Sequence, residues 1–380
     1  MKRKNVLFYI TLIMFSVLSL KAQADPCSCD NLSACEVYDS SNDGEFFSAQ
    51  DGWSSHNNPT TGGKNGHIYT VTNINDSGDG SLREGLEADC PLWIKFDIDE
   101  DKPVITLNKE IKVKGNKTVD GRGHNIRLNT KTNIDSEECE DPENKDITTN
   151  GLVLSNVKNI IITHINFDDD FERWEEDCEG SDAIQVSNSK KIWIYHNSFS
   201  RWSDGAIDVN DGADKITISW NRFEDINQAI ALRSGRISFH HNYCKNVYGR
   251  CPKAVHKYDS NVRVHAYNNV IKDWGDKEIV AAVSHDNVPN DTDKSVELRF
   301  EYSIFIPGDN YTVGKYYDSE ILDIRESFYK DKVFVDIRTN GIVDDDWILT
   351  SEDISDVEEC RNEDCFKELR STVRNSAGHR

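Results

Sequence analysis

The 380-residue chain predicts an all-β fold, a single-stranded right-handed parallel β-helix (a solenoid) with short capping helices. Three observations predict it. A phrase of alternating apolar residues ending in Asn recurs along the middle of the chain, a second short strand precedes it, and helical periodicity is confined to two brief stretches. The phrase reads Ile161-Ile-Thr-His-Ile-Asn166, Ile192-Trp-Ile-Tyr-His-Asn197, Ile216-Thr-Ile-Ser-Trp-Asn221 and Ile237-Ser-Phe-His-His-Asn242, with Val264-His-Ala-Tyr-Asn-Asn269 as a fifth copy. Its starts fall 31, 24, 21 and 27 residues apart, within the periods expected of solenoid coils.

Residues 1–24 read as an export signal: Lys2, Arg3 and Lys4 precede an apolar run from Val6 to Leu20, and Ala22-Gln23-Ala24 offers small residues for cleavage. The run is shorter than the roughly 20 residues a bilayer core needs. The mature chain is therefore expected to be soluble and secreted, extracellular or periplasmic. Residues 25–380 form one domain, because no Pro/Gly/Ser-rich linker divides them. Ser81 to Ala88 predicts the first capping helix, with Ser-Leu-Arg-Glu as its capping box. Each Asn-ended phrase then alternates residues in and out, as a strand requires. A shorter strand such as Ala183-Ile-Gln-Val186 or Ala206-Ile-Asp-Val209 precedes it, so one coil holds at least two strands. Stacking superposes like residues: Ile and Phe fill a continuous core, and the Asn positions form a hydrogen-bonded ladder at a tight turn. Asp135 to Asp146 and Asp168 to Gly180 are acidic and read as solvated loops, a calcium site there being the alternative. Glu363 through Asn375 predicts the second capping helix.

Charge narrows the function. The formal net charge is −23, and loss of four cationic residues with the signal takes it to −27. Such a field repels phosphate backbones and argues against nucleic acid or an anionic membrane surface as partner. It also opposes an acidic polysaccharide unless cations or a local basic groove intervene. Ten cysteines, at positions 27, 29, 35, 90, 139, 178, 244, 251, 360 and 365, predict disulfides in an exported chain. Cys244 with Cys251, Cys360 with Cys365 and Cys139 with Cys178 are the local candidate pairs.

The strand pattern also gathers three carboxylates. Asp182 opens one coil's strand, while Asp204 and Asp208 bracket the equivalent strand of the next coil. Stacked strands lie about 4.8 Å apart. Three Asp oxygens on one outward face make a hard, oxygen-rich site suited to Ca2+. Arg250, in Gly249-Arg250-Cys251-Pro252-Lys253, stands at a loop two coils beyond them, where proline fixes the path. His240, His241, His256 and His265 cluster in sequence, but strand alternation is expected to put His240 and His241 on opposite faces, which disfavours a shared zinc.

Between Gly66 and Trp274 the chain resembles the pectate lyase family. The likeness rests on Gly80-Ser-Leu-Arg-Glu84, Ile94 to Phe96, Asp120-Gly-Arg-Gly123, Ser181-Asp-Ala-Ile184 and Lys191-Ile-Trp-Ile-Tyr-His196. It continues through Ser203-Asp-Gly-Ala-Ile-Asp208, Thr217-Ile-Ser-Trp-Asn221, His241-Asn242, Arg250-x-Pro252 and Val264 to Asn269, and Ser376-Ala-Gly378 is similar to the family's closing segment. The resemblance implies calcium-dependent β-elimination of polygalacturonate by a monomer, with Asp182, Asp204 and Asp208 holding calcium and Arg250 taking the proton from C5 of a uronate. An arginine base, charged at neutral pH, implies an alkaline optimum.

Three departures fall near this site. Tyr195 stands where the family has the Asp of Trp-x-Asp-His, Gln228 or Asn227 where it has a substrate-gripping lysine, and Val255 where it has a second arginine. Lys253, His256 and Lys257 can supply the missing positive charge, and Arg233 is weighed as a substitute for the lysine. The altered clamp leaves two other readings: elimination on another uronate polymer or pectin, and a catalytically weak polysaccharide-binding β-helix. Trp174 and Trp202 either stack on sugar at the groove edge or pack under loops.

Overall fold

The computed structural model describes residues 32–36, 47–130, 149–169, 181–256, 260–274, 280–284, 295–307, 314–316, 321–329, 333–339 and 363–378. The leader-like residues 1–24 and most of both acidic stretches lie outside these residues.

The chain is a parallel β-helix whose coils carry three strands each, one more than the minimum the sequence required. The first column stacks Leu152–Ser155, Asp182–Ser187, Gly205–Val209, the second half of Arg222–Leu232, Lys253–His256 and Val280–Ser284, all in parallel. The second stacks Lys158–Thr163, Lys190–Tyr195, Asp214–Ser219, Gly235–His240, Val262–Tyr267 and Val296–Glu301. The third stacks Asn166–Asp168, Ser198–Ser200, the first half of Arg222–Leu232, Tyr243–Gly249 and Val270–Lys272. Antiparallel pairs occur only near the chain ends among the described strands, Cys35–Glu36 on His67–Val71 and Ile321–Tyr329 on Val333–Thr339.

Alternation puts like residues on like residues. Ile160, Ile192, Ile216, Ile237, Val264 and Leu298 form one inward row of the second column, each fully buried. In the third column Phe199 is stacked between Phe167 and Phe223, with centroids 4.9 and 5.1 Å away and planes within 8°. Cutting Phe199 to Ala leaves a hole that both neighbours line. The expected cost is about 3–5 kcal/mol, read as a lower denaturant midpoint, with Phe199→Leu losing distinctly less.

The asparagine ladder forms at the bend between the second and third columns. The N–H of Asn197 donates to Asn221 Oδ1 at 2.9 Å, that of Asn221 to Asn242 Oδ1 at 3.0 Å and that of Asn242 to Asn269 Oδ1 at 3.0 Å. Each side-chain amide also donates to a strand carbonyl of the preceding coil, such as Asn221 to Ile194 at 2.9 Å. The residue before each Asn turns the corner in the left-handed region, with φ of 52° at His196, 56° at Trp220 and 52° at His241. Asn166 does not join the ladder. It pairs with Ser198, and Ile165 takes the ladder position by donating its N–H to Asn197 Oδ1 at 3.0 Å. The first copy therefore begins at Ile160, opposite Ile192.

The corner also corrects the expected separation of His240 and His241. The chain turns at His241, so the rings meet with their Nδ1 atoms 2.9 Å apart, and the His240 ring stacks on Tyr267.

Ser81 caps the helix Leu82–Glu87 by accepting from Glu84 N at 3.2 Å, and Leu82 and Leu86 enter the core at the first coils. The C-terminal helix, Glu363–Ser376, does not lie across an open end. Its Phe366, Leu369 and Val373 pack along the flank on Tyr243, Val270 and Ile304, outward positions of the third column. An apolar stripe on those three strands holds it there. Residues 47–66 cover the outer face of the second column. Trp53 N–H donates to Ser238 Oγ at 3.0 Å and Ser54 N–H to Thr217 Oγ1 at 2.9 Å. Gly52 makes this approach possible: its φ is +67°, and a Cβ would lie 2.6 Å from Thr217 Oγ1.

Candidate active site

The outward row of the first column runs from Gln185 to Asp208, Ala231 and Lys253, one residue per coil. The neighbouring row runs from Asp182 to Gly205, Gln228 and Gly249, with Arg250 following directly. Register therefore brings Asp182, Asp204, Asp208 and Arg250, far apart in sequence, into one charged group.

Asp182 begins its strand, and its N–H donates to Asn150 Oδ1 at 2.8 Å. Its carboxylate leans over Gly205, where a Cβ would stand only 2.7 Å from Oδ1, so glycine leaves the room the carboxylate uses. Asp182 is 4% exposed. Burial, and then Asp208 and Asp204, push its carboxyl well above the usual carboxylate range, against the pull of Arg233 and Arg250. Asp204 ends the loop before the strand, its N–H donating to Ser181 O at 3.3 Å. Asp208 points outward from the middle of the strand and forms an ion pair with Arg233, whose Nη1 donates to both Asp208 and Asn210.

Arg250 takes the left-handed conformation, φ 64°, which costs a non-glycine residue about 1 kcal/mol or more. The N–H of Ile230 donates to the Arg250 carbonyl at 2.7 Å, and the next residue is tied back by the Cys244–Cys251 disulfide. That disulfide is one of the three local pairs expected, and Cys35, Cys90 and Cys365 are disulfide-bonded as well. Burial lowers Arg250 from the ordinary arginine value, while Asp204, Asp208 and Asp182 work to keep it charged and Arg233 opposes them.

Lys253 stands two rungs from Asp208 on the same row. His256 ends that strand, and its side chain, like Lys257, falls outside the described part of the chain. Val255 is buried. Gln228 occupies the rung between Gly205 and Gly249, and its Oε1 is buried without a hydrogen-bond partner among the described residues. Trp202 packs in the core against Phe167, away from any groove, and Trp174 lies outside the described residues. Arg233 is the residue whose importance the strand pattern alone understated: its pairing with Asp208 follows from register across two coils.

The donors fit a hard divalent cation. Two carboxylates, Asp208 and Asp204, act on the buried carboxyl of Asp182, which disfavours its own charge, and the unpaired amide oxygen of Gln228 lies two rungs from Asp182. As they stand they are not drawn into a finished centre: no three Asp, Glu, His or Cys groups among the described residues sit in metal-holding geometry, and one oxygen of Asp208 is engaged by Arg233.

Comparison with known proteins bears on the family and the fold. The pectate lyase family profile matches residues 41–346. Pectate lyase 2 of Ambrosia artemisiifolia is 36% identical over 190 residues, covering 46% of this chain and 42% of its own. Pectate lyase 4 of the same plant is 30% identical over 271 residues, covering 64% and 61%. A pectate lyase of Zinnia elegans is 30% identical over 229 residues, covering 56% and 53%. The chain spans about half the length of the curated relatives it matches. Among solved structures, the major allergen of cedar pollen is similar in fold with a TM-score of 0.63 at 22% identity, covering 86% of this chain and 92% of that one. A Bacillus subtilis pectate lyase mutant has a TM-score of 0.59 at 16% identity, covering 88% and 98%.

Proposed function

This chain belongs to the pectate lyase family, and from that premise we propose that it is a secreted, monomeric polysaccharide lyase. It cleaves (1,4)-α-D-galacturonan by calcium-dependent β-elimination, releasing 4,5-unsaturated oligogalacturonates. The observation that carries the reading is the gathering of Asp182, Asp204 and Asp208 with Arg250 in one charged group on the first column. Among the described residues no helix is long and apolar enough to cross a membrane, and the leader-like residues 1–24 support export.

Asp182, Asp204 and Asp208 would hold the calcium. The chemistry calcium would supply when bound is Lewis-acid acidification of the C5 proton beside the substrate carboxylate. Arg250 in its neutral form accepts that proton. The C5–H electrons form the C4=C5 double bond, the C4–O bond breaks, and the departing oxygen takes a proton from water. Burial helps, because lowering the pKa of Arg250 enlarges the neutral fraction at any given pH. The row that continues through Lys253 gives a uronate chain a positive group two rungs from Asp208, on a protein whose overall field would repel it.

The test is absorbance of the unsaturated product from polygalacturonate at alkaline pH, with calcium and with a chelator. Growth of the absorbance with calcium and its loss with chelator is the expected result. A folded protein that gives no product under either condition sinks polygalacturonate as substrate and moves the search to other uronates or to a binding role.

A further inference from the structure

We propose that Arg233 is a resident counter-cation of the acidic group, which a divalent cation has to displace from Asp208 on binding. The inference rests on the calcium reading above and concerns a residue of this chain outside the metal's own donors. Register puts it there. Leu232 pairs with Val209, and the Arg233 N–H donates to Val209 O at 2.7 Å, so Arg233 follows on the rung beside Asn210. Its side chain turns back along that rung, where Nη1 reaches Asp208 and, at 3.1 Å, Asn210 Oδ1. Ala231, the neighbour of Asp208 on its own row, has no side chain long enough to intervene.

Both partners are well removed from water: 13% of the Arg233 side chain and 16% of the Asp208 side chain are exposed. Their attraction is screened far less than that of a surface pair. The guanidinium of Arg233 is a cation seated directly on Asp208. A calcium ion arriving at Asp208 therefore meets a fixed positive charge on the oxygen it needs, and binding includes the work of moving that charge aside. The same contact has a second role before the metal binds. It partly neutralises three carboxylates, one of them buried, that otherwise repel one another. Gln228 supplies no charge in this place, so Arg233 with Arg250 carries the local positive balance.

The experiment is a calcium titration by isothermal calorimetry, without substrate, of the wild type, Arg233→Ala and Arg233→Gln. Folding is checked by circular dichroism, and thermal midpoints are taken with and without calcium. Glutamine can still hydrogen-bond Asp208 but carries no charge, and it keeps the test usable where alanine fails to fold. Both variants are expected to bind calcium roughly ten- to a hundredfold more tightly. Both should unfold at lower temperature than wild type without calcium, with the gap closing as calcium is added. Wild type that binds calcium while Arg233→Gln binds it equally or more weakly overturns the proposal and leaves the metal site standing. Absence of calcium binding by all the folded proteins overturns the metal site and this inference together.

Discussion

Replacing Arg250 with alanine is expected to lower the turnover of polygalacturonate by about 10²–10⁴-fold, the range a positioned general base contributes, equivalent to roughly 3–5 kcal/mol of barrier. The loss should fall mainly on kcat, because the proton leaves C5 only in the reaction itself. Calcium affinity should change far less, since the three carboxylates remain. Arg250→Lys offers a finer test. An amine has a pKa of about 10.4, well below that of a guanidinium, so a surviving lysine base would bring the rising limb of the pH profile to lower pH. For the wild type the sign follows from the protonation state. The working form is neutral, so below its pKa the rate climbs about tenfold per pH unit, and burial has moved that pKa down from the ordinary value. An Arg250→Ala protein with wild-type turnover would remove Arg250 from the chemistry.

Asp182→Asn should produce two effects of opposite sign. With calcium, the loss of one charged donor weakens binding roughly ten- to a hundredfold, from about 1.5–3 kcal/mol for a charge-assisted contact. Without calcium, the same change should raise the unfolding temperature. Asp182 is buried beside Asp208 and Asp204, and its folded-state pKa lies above the unfolded value. A group shifted in that direction contributes stability that is complete below the unfolded pKa and is lost as pH rises through the folded one. At neutral pH the calcium-free wild type therefore carries a penalty that asparagine lacks, and the difference between the two proteins should grow from acid toward neutral pH. Thermal unfolding across that range, with calcium and with chelator, reads both effects. A variant less stable than wild type in chelator would mean that Asp182 is not a charge the fold struggles to bury.

Much of the candidate site was legible because solenoid geometry is nearly one-dimensional. Each coil repeats its path, so residues at matching places in successive phrases become neighbours, and Asp182, Asp204 and Asp208 group from the phrases alone, while Arg250 joins them only through the family resemblance. The slip at the first phrase has a physical cause. Ile160, Ile161 and Ile162 are all fully buried, because Phe47 and Ala49 of the N-terminal segment cover the outward Ile161 and Trp193. With both faces buried the period of two disappears, and two alignments one residue apart look equally good. The histidine pair misled for a related reason: alternation holds only inside a strand, and His241 is already at the corner.

The sequence by itself determined the parallel β-helix, the asparagine ladder, the capped first helix, the extent of the C-terminal helix and the rows on which the charged residues stand. These follow from local periodicity and from residues whose preferences are satisfied within one or two coils. Only the tertiary structure decided that each coil has three strands, that the C-terminal helix docks on the flank, and that Arg233 is paired with Asp208 across coils. Each of those depends on which surfaces meet, and on how a long side chain turns once its neighbours on the rung are small. A one-dimensional pattern carries neither, because the energy of a contact between coils depends on the packing and charge of residues dozens of positions apart.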